Sequence, residues 1–427
     1  MRRGEEKYQL YLNVLEEELV PAMGCTEPIA VAYGAAKARE VLGKIPDRIT
    51  IEASGSIIKN VKSVFVPNTD HLKGIEAAAV AGVIAGNADK KLEVIARVEE
   101  DKKMAINSYL KEAKIETRFL DSNLVFDLIV TVYKEESYAK VRIADYQSNI
   151  VFIEKDGKCL YNKALDEEKN QYIGSDRSWM DMESIWDFAN SVEIEDVSPV
   201  LDRQIAYNMA IAEEGLRGNY GANIGKVLLN TYGNEISVRA KAKAAAGSDA
   251  RMNGCELPVI INSGSGNQGI TCSVPVIEYA RELKVEKEKL IRALVLSNLT
   301  TIHQKTGIGT LSAYCGAVCA GVGAGAGIAY LYDGDYEDII HTVVNALAIV
   351  SGIVCDGAKA SCAAKIASSV DAALMGYHMY QQGQEFKGGD GIVMNNVEST
   401  IQNVGYLGKE GMKDTNEKII KMMIQSC

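Results

Sequence analysis

No charged residue occurs from Thr306 to Tyr332, and Gly, Ala, Ser and Thr dominate this run in place of Leu and Ile. A segment this uncharged belongs in lipid or at the centre of a protein. Small residues let helix backbones approach closely, which serves a helical protein core as well as a bilayer. The composition favours the core. It predicts a buried helix over 311–332, with other helices packed closely around it.

Organisation follows from length and periodicity. At 427 residues the chain is too long for one ordinary core, so two domains are expected. Helical periodicity marks 5–20, 29–42, 73–86 and 101–113. Alternating apolar and polar residues mark strands at 48–54, 125–132, 138–144 and 149–155. Leu92–Val98 also reads as a strand, and 57–66 as strand or mixed structure. The expected class is α+β: a mixed α/β domain over 1–165, a charged, Trp-containing bridge over 166–198, and an all-helical domain over 199–427. In that last part helices are expected at 200–216, 223–231, 236–250, 275–283, 287–300, 311–332, 336–354, 358–376 and 394–404.

Composition narrows the function. The net charge of −11 leaves no basic stripe for phosphates, so no nucleic-acid partner is expected. Nine cysteines in so long a chain do not make a disulfide scaffold. The opening residues MRRGEEKYQL lack the apolar stretch of a signal peptide. A cytoplasmic, reducing location with no membrane anchor is therefore expected.

The chemistry concentrates in cysteines. Cys315 lies in AYCGAVCAG, and Cys355 and Cys362 flank an Asp-Gly turn in CDGAKASC. On one continuous helix, a spacing of seven would separate the last two by roughly 10 Å along the axis. The turn at Asp356-Gly357 removes that obstacle by placing Cys355 in a loop and Cys362 in the first turn of a helix starting near Ala358. Thiolates on close-packing apolar backbone suit an iron–sulfur cluster better than a disulfide or a zinc knuckle. Cys315 and Cys319 share a helix face, so either is a candidate ligand. Cys25, in AMGCTEP, precedes an Ala-rich helix, where a thiol pKa is lowered. Its open roles are nucleophile, base and labile fourth ligand.

A second loop, Asn262–Gly269 (NSGSGNQG), combines three glycines with many hydrogen-bonding groups and suits a small carboxylate. It is not a phosphate-binding P-loop, because no Lys-Ser/Thr follows. His303 is placed in a polar break between helices, as a capping or acid/base group. His71, His341 and His378 show no ligand spacing. Cys159, Cys255 and Cys272 are read as incidental, and Cys427 as a frayed terminal thiol.

Together MGCTEP, NSGSGNQG, AYCGAV and CDGAKASC resemble the L-cysteine desulfidases, relatives of the alpha chain of iron–sulfur L-serine dehydratases and of the serine dehydratase-like (UPF0597) proteins. The resemblance spans nearly the whole chain. It implies a [4Fe–4S] cluster held by Cys315, Cys355 and Cys362, no pyridoxal phosphate, and β-elimination of L-cysteine to pyruvate, ammonia and sulfide. For that reaction Cys25 is the first choice of catalytic base, with Ser263, Gly264, Ser265, Asn267, Gln268, Thr26 and Glu27 expected around the substrate. Two departures from the serine dehydratases, the shorter Cys355–Cys362 spacing and the cysteine-bearing loop, favour cysteine as substrate. L-serine dehydration by the same site is the alternative enzyme, and a redox or metal-storage protein the non-enzyme alternative. In those dehydratases a C-terminal cysteine can close the cluster, which brings Cys427 into question. Large Ala/Gly helical faces suggest a homodimer.

Overall fold

The computed structural model describes residues 1–122, 124, 126–164, 176–309 and 312–425. Cys427 and the first part of the expected bridge lie outside the described residues.

The first half contains α1 (Glu6–Glu18), β1 (Pro21–Met23), α2 (Thr26–Leu42), β2 (Arg48–Ala53), α3 (Gly55–Val61), α4 (Gly74–Ala85) and α5 (Glu100–Glu112), followed by β3 (Lys114–Phe119), β4 (Asp127–Lys134), β5 (Ser137–Ala144), β6 (Ile150–Lys155) and β7 (Lys158–Asn162). Strands β3-β2-β4-β5-β6-β7 form one sheet in that order. Only β2 and β3 run parallel; the other neighbours are antiparallel. Leu128, Val130 and Val132 on β4 and Ala139, Val141 and Ile143 on β5 alternate onto one buried face, as a half-covered antiparallel sheet requires. The helices α2 and α4 share this core.

The second half contains α6 (Met182–Ser191), α7 (Ile194–Arg217), α8 (Ile224–Tyr232), α9 (Ile236–Met252), β8 (Pro258–Ile260), α10 (Gly266–Leu283), α11 (Lys287–Ile308), α12 (Gly316–Leu331), α13 (Tyr336–Val350), α14 (Ser361–Gln381), α15 (Val397–Tyr406) and α16 (Lys413–Gln425). The α+β class expected from sequence is the one observed. Gly316–Leu331, the greater part of the uncharged run, forms α12, which starts later than expected and contacts α10, α11, α13 and α14. Its alternate glycines explain how. A Cβ at Gly323 would stand 2.5 Å from the Ser297 carbonyl oxygen on α11, and one at Gly325 would stand 2.7 Å from Ala373 Cβ on α14. Among the described residues no helix is long and apolar enough to cross a membrane.

Several expectations need correcting. Residues 55–61 are helical, not extended, and the apolar run 92–98 ends a 3₁₀ turn (Ala88–Glu93) and enters a loop. Short apolar runs carry too little periodicity to separate these states. Two edge strands, β3 and β7, escaped notice because most of their residues are exposed, so neither shows an alternating buried face. The helix read as 275–283 begins at Gly266, so the Gly-rich loop runs directly into it. The first helix, grouped with the sheet by sequence, packs instead in the helical core. Tyr11 stacks on Phe188 with ring centroids 4.8 Å apart, and Tyr8 meets the same ring edge-on at 5.3 Å.

The α12 packing makes a clear prediction. Gly323→Val should destabilise the fold by about 1–3 kcal/mol through overpacking, measured by urea unfolding. Gly352→Ala, whose Cβ would meet nothing within 4 Å, should be near neutral.

Candidate active site

Two short backbone ladders bring the site residues together. In the first, β1 pairs with β8, Pro21 opposite Ile260 and Met23 opposite Pro258. Each strand leads into the N-terminus of a long helix. Cys25 is the N-cap residue of α2 and Ser265 that of α10. Pro28 falls in the first turn of α2, where no main-chain N–H is needed. The Thr26 hydroxyl donates to the Gly264 carbonyl at 3.2 Å and ties the two loops. In the second ladder, Tyr314 bridges Val354. The Cys315 amide donates to Ile353 O at 3.1 Å, and the Cys355 amide to Ala313 O at 2.6 Å. Forty residues apart in sequence, these two cysteines are thereby placed side by side. Cys315 is the N-cap of α12, and Cys362 is the second residue of α14, as its turn-then-helix reading predicts. Gly357 makes that turn with φ +97°, and a Cβ there would overlap the Lys59 carbonyl.

The side chains that these contacts position line one cavity of about 120 Å³. Its wall includes Cys25, Thr26, Glu27, Ser263, Gly264, Ser265, Asn267, Gln268, Cys315, Cys355 and Cys362. Four helices of two or more turns begin at this wall. Their free amides and dipoles favour negative charge in the cavity.

The sequence profile of the serine dehydratase alpha chain family matches residues 89–421. The chain belongs to that family. It is similar to UPF0597 proteins along their whole lengths. One from Desulfitobacterium hafniense is 61% identical over 100% of this chain and 99% of its own. One from Lachnoclostridium phytofermentans is 54% identical over 98% and 100%, and one from Treponema denticola 46% over 100% of each. Membership of the serine dehydratase family supports a lyase of the dehydratase type.

The donor set fits an iron–sulfur group. Burial pushes the Cys315 thiol up to about 12, and the negative charges of Cys355 and Cys362 add to the effect. Burial, then Cys355, raises Cys362. As neutral thiols the three cysteines can share this wall; as the thiolates that iron requires, they need a cationic centre to offset their charge. Among the described residues no three His, Cys, Asp or Glu groups converge as a single metal ion requires. Ligands of a cluster bind separate irons of one compact group, so their sulfurs stand farther apart than those around a single ion.

For this family member, sequence reasoning missed the cations. Buried Lys59 on α3 donates to Cys355 O at 3.3 Å and to Asn416 Oδ1 at 2.8 Å. Buried Lys305 on α11 donates to Gly309 O. Burial lowers both ammonium pKa values, and nearby thiols oppose that shift. Arg251, at the end of α9, is 3% exposed and donates to Asn267 Oδ1 at 3.1 Å. None of the three lies in a recognisable motif. A signal existed for Lys305 alone, in the polar stretch TIHQKTG. The same stretch misplaced His303: α11 continues unbroken to Ile308, and His303 Nε2 meets Glu398 Oε2 at 2.8 Å, away from the cavity wall. Cys319 lies fully buried one turn beyond Cys315 and off the cavity wall; burial holds its thiol up at about 11.

Cys25 also departs from expectation. It does cap a helix, but its pKa is raised well above that of a free thiol. Burial is the main cause and the Glu27 carboxylate the next; Arg251 pulls the other way. The thiol donates to Glu27 Oε2 at 3.0 Å. The thiolate is the charged form, so a neighbouring negative charge disfavours it. At pH 8 Cys25 should alkylate more slowly than a free thiol, and faster as pH rises. Glu27→Gln removes the opposing charge and should speed alkylation at pH 8 by about threefold or more, read by mass spectrometry of the Cys25 peptide.

Proposed function

We propose that this protein is an iron–sulfur-dependent lyase that converts L-cysteine and water to pyruvate, ammonia and sulfide. One observation carries the reading: a single cavity is lined by the three cysteines, by Cys25 and by the Ser263–Gln268 loop. Cys315, Cys355 and Cys362 would hold a [4Fe–4S] cluster, leaving one iron without a protein ligand. When bound, such a group supplies Lewis acidity toward the departing β-substituent.

The remaining work falls to the chain. Cys25 takes the α-proton, and must first give up its own. Glu27 Oε2, 3.0 Å from Sγ, is placed to receive it. Asn60 Nδ2 at 3.0 Å holds Glu27 Oε1 in position, and Thr26 Oγ1, whose one proton is shared with the Gly264 carbonyl, lies 3.1 Å from Oε2. The Ser263–Gln268 loop presents the amides at the head of α10 to the α-carboxylate. Low exposure of the wall limits the water that would compete for the proton. Once proton and thiolate have left, aminoacrylate hydrolyses to pyruvate and ammonia.

L-serine, losing water in place of sulfide, is the second reading, favoured by the family to which the chain belongs. Protein purified without oxygen should contain about four iron and four sulfide per chain and form pyruvate faster from L-cysteine than from L-serine. A full cluster with pyruvate from neither amino acid would sink the lyase reading. Cys25→Ala should lower turnover by at least about a hundredfold while leaving the cluster absorbance intact. Full turnover in that variant would remove Cys25 from the chemistry.

A further inference from the structure

Three cations line the cavity, and two are committed at its cysteine end. Lys59 and Lys305 donate to main-chain carbonyls there. Arg251 stands apart, at the head of α10. Its Nη1 reaches Asn267, while its Nε is buried with no hydrogen-bond partner. It makes no ion pair among the described residues. A buried guanidinium without a carboxylate is costly, so the missing partner is informative.

The local sequence makes room for this guanidinium. A Cβ at Gly266, the first residue of α10, would overlap Arg251 Nε and stand 2.7 Å from Cζ. Only glycine lets the guanidinium lie against the helix start. At the same place Ser265 provides no side-chain cap. No hydrogen bond among the described residues uses the amides of Gly266, Asn267 or Gln268. A planar cation and a fan of free amides, set over one helix start, form a receptor for a planar anion.

We infer that Arg251, seated on Gly266, is the anchor for the substrate α-carboxylate, and that it takes up charge as the α-proton leaves. This rests on the lyase reading for the identity of the anion. As the α-carbon loses its proton, electron density moves into the carboxylate. A guanidinium already fixed against those oxygens stabilises that shift without reorganising. Arg251 is therefore a catalytic residue as well as a binding one. The anchor selects for a free carboxylate: amides, esters and decarboxylated amines lack the charge it needs.

The test compares L-alanine, which has the carboxylate but no leaving group, with L-alaninamide, by titration calorimetry on the anaerobic holoenzyme. The wild type should bind L-alanine at least about thirtyfold more tightly than the amide. Arg251→Gln should erase that preference, and Arg251→Lys should restore part of it. Gly266→Ala, which displaces the guanidinium, should behave like Arg251→Gln. Melting temperature and cluster absorbance check that each variant is folded. A folded Arg251→Gln protein that keeps the full preference overturns the anchor, as does a wild type with no preference. The two readings fail separately. L-alanine held through Arg251 with no pyruvate from cysteine or serine leaves the anchor and sinks the elimination. Pyruvate formed by Arg251→Gln with unchanged KM and kcat does the reverse.

Discussion

The pairing of β1 with β8 is the contact on which the site depends. It is three residues long, and it joins parts of the chain more than two hundred residues apart. It sets the N-terminus of α2 beside that of α10, so that the Cys25 loop and the Ser-Gly loop face one another. The bridge between Tyr314 and Val354 does the same for Cys315 and Cys355. In each case main-chain hydrogen bonds fix the register: Cys25 sits two residues beyond Met23, and Cys315 and Cys355 one residue beyond their bridged pair, while the Ser-Gly loop starts within three residues of Ile260. Positioning from rigid main chain is tighter than positioning from a free loop.

Electrostatics sets the cavity's thiols in two different surroundings. Around the cysteine trio, buried thiols raise one another's pKa, and Lys59 and Lys305 lie close by. Cys25 instead lies between opposing influences, Glu27 disfavouring the thiolate and Arg251 favouring it. The burial that makes charge expensive also strengthens every interaction with it. A reactive thiol here is therefore governed by its partners more than by the helix terminus it caps.

The sequence made the chemistry more legible than its placement. The turn at Asp356-Gly357 resolved the Cys355–Cys362 spacing because glycine and aspartate mark turns by local sterics alone. The buried character of α12 followed from its lack of charge. Arg251 was invisible, since its partners are Asn267 and Gly266, and their proximity is a fact of tertiary structure. His303 was misread because a polar stretch on a helix looks like a break when its partner, Glu398, is unknown. The grouping of α1 with the sheet failed for a similar reason. An amphipathic helix declares that it has a buried face, not which core receives it.

That placement of α1 has a consequence for biosynthesis. Tyr8 and Tyr11 pack on Phe188, and the strand that follows pairs with residues 258–260. At about 5–20 residues per second, the ribosome takes on the order of ten to fifty seconds to deliver that partner strand. Until then the opening segment has no native place, and the Cys25 loop has no wall to face. The last cysteine of the trio emerges about a hundred residues later still. The cysteine wall of the cavity is therefore completed only at the end of folding, on a chain already released or nearly so, and nothing bound there can guide the early steps.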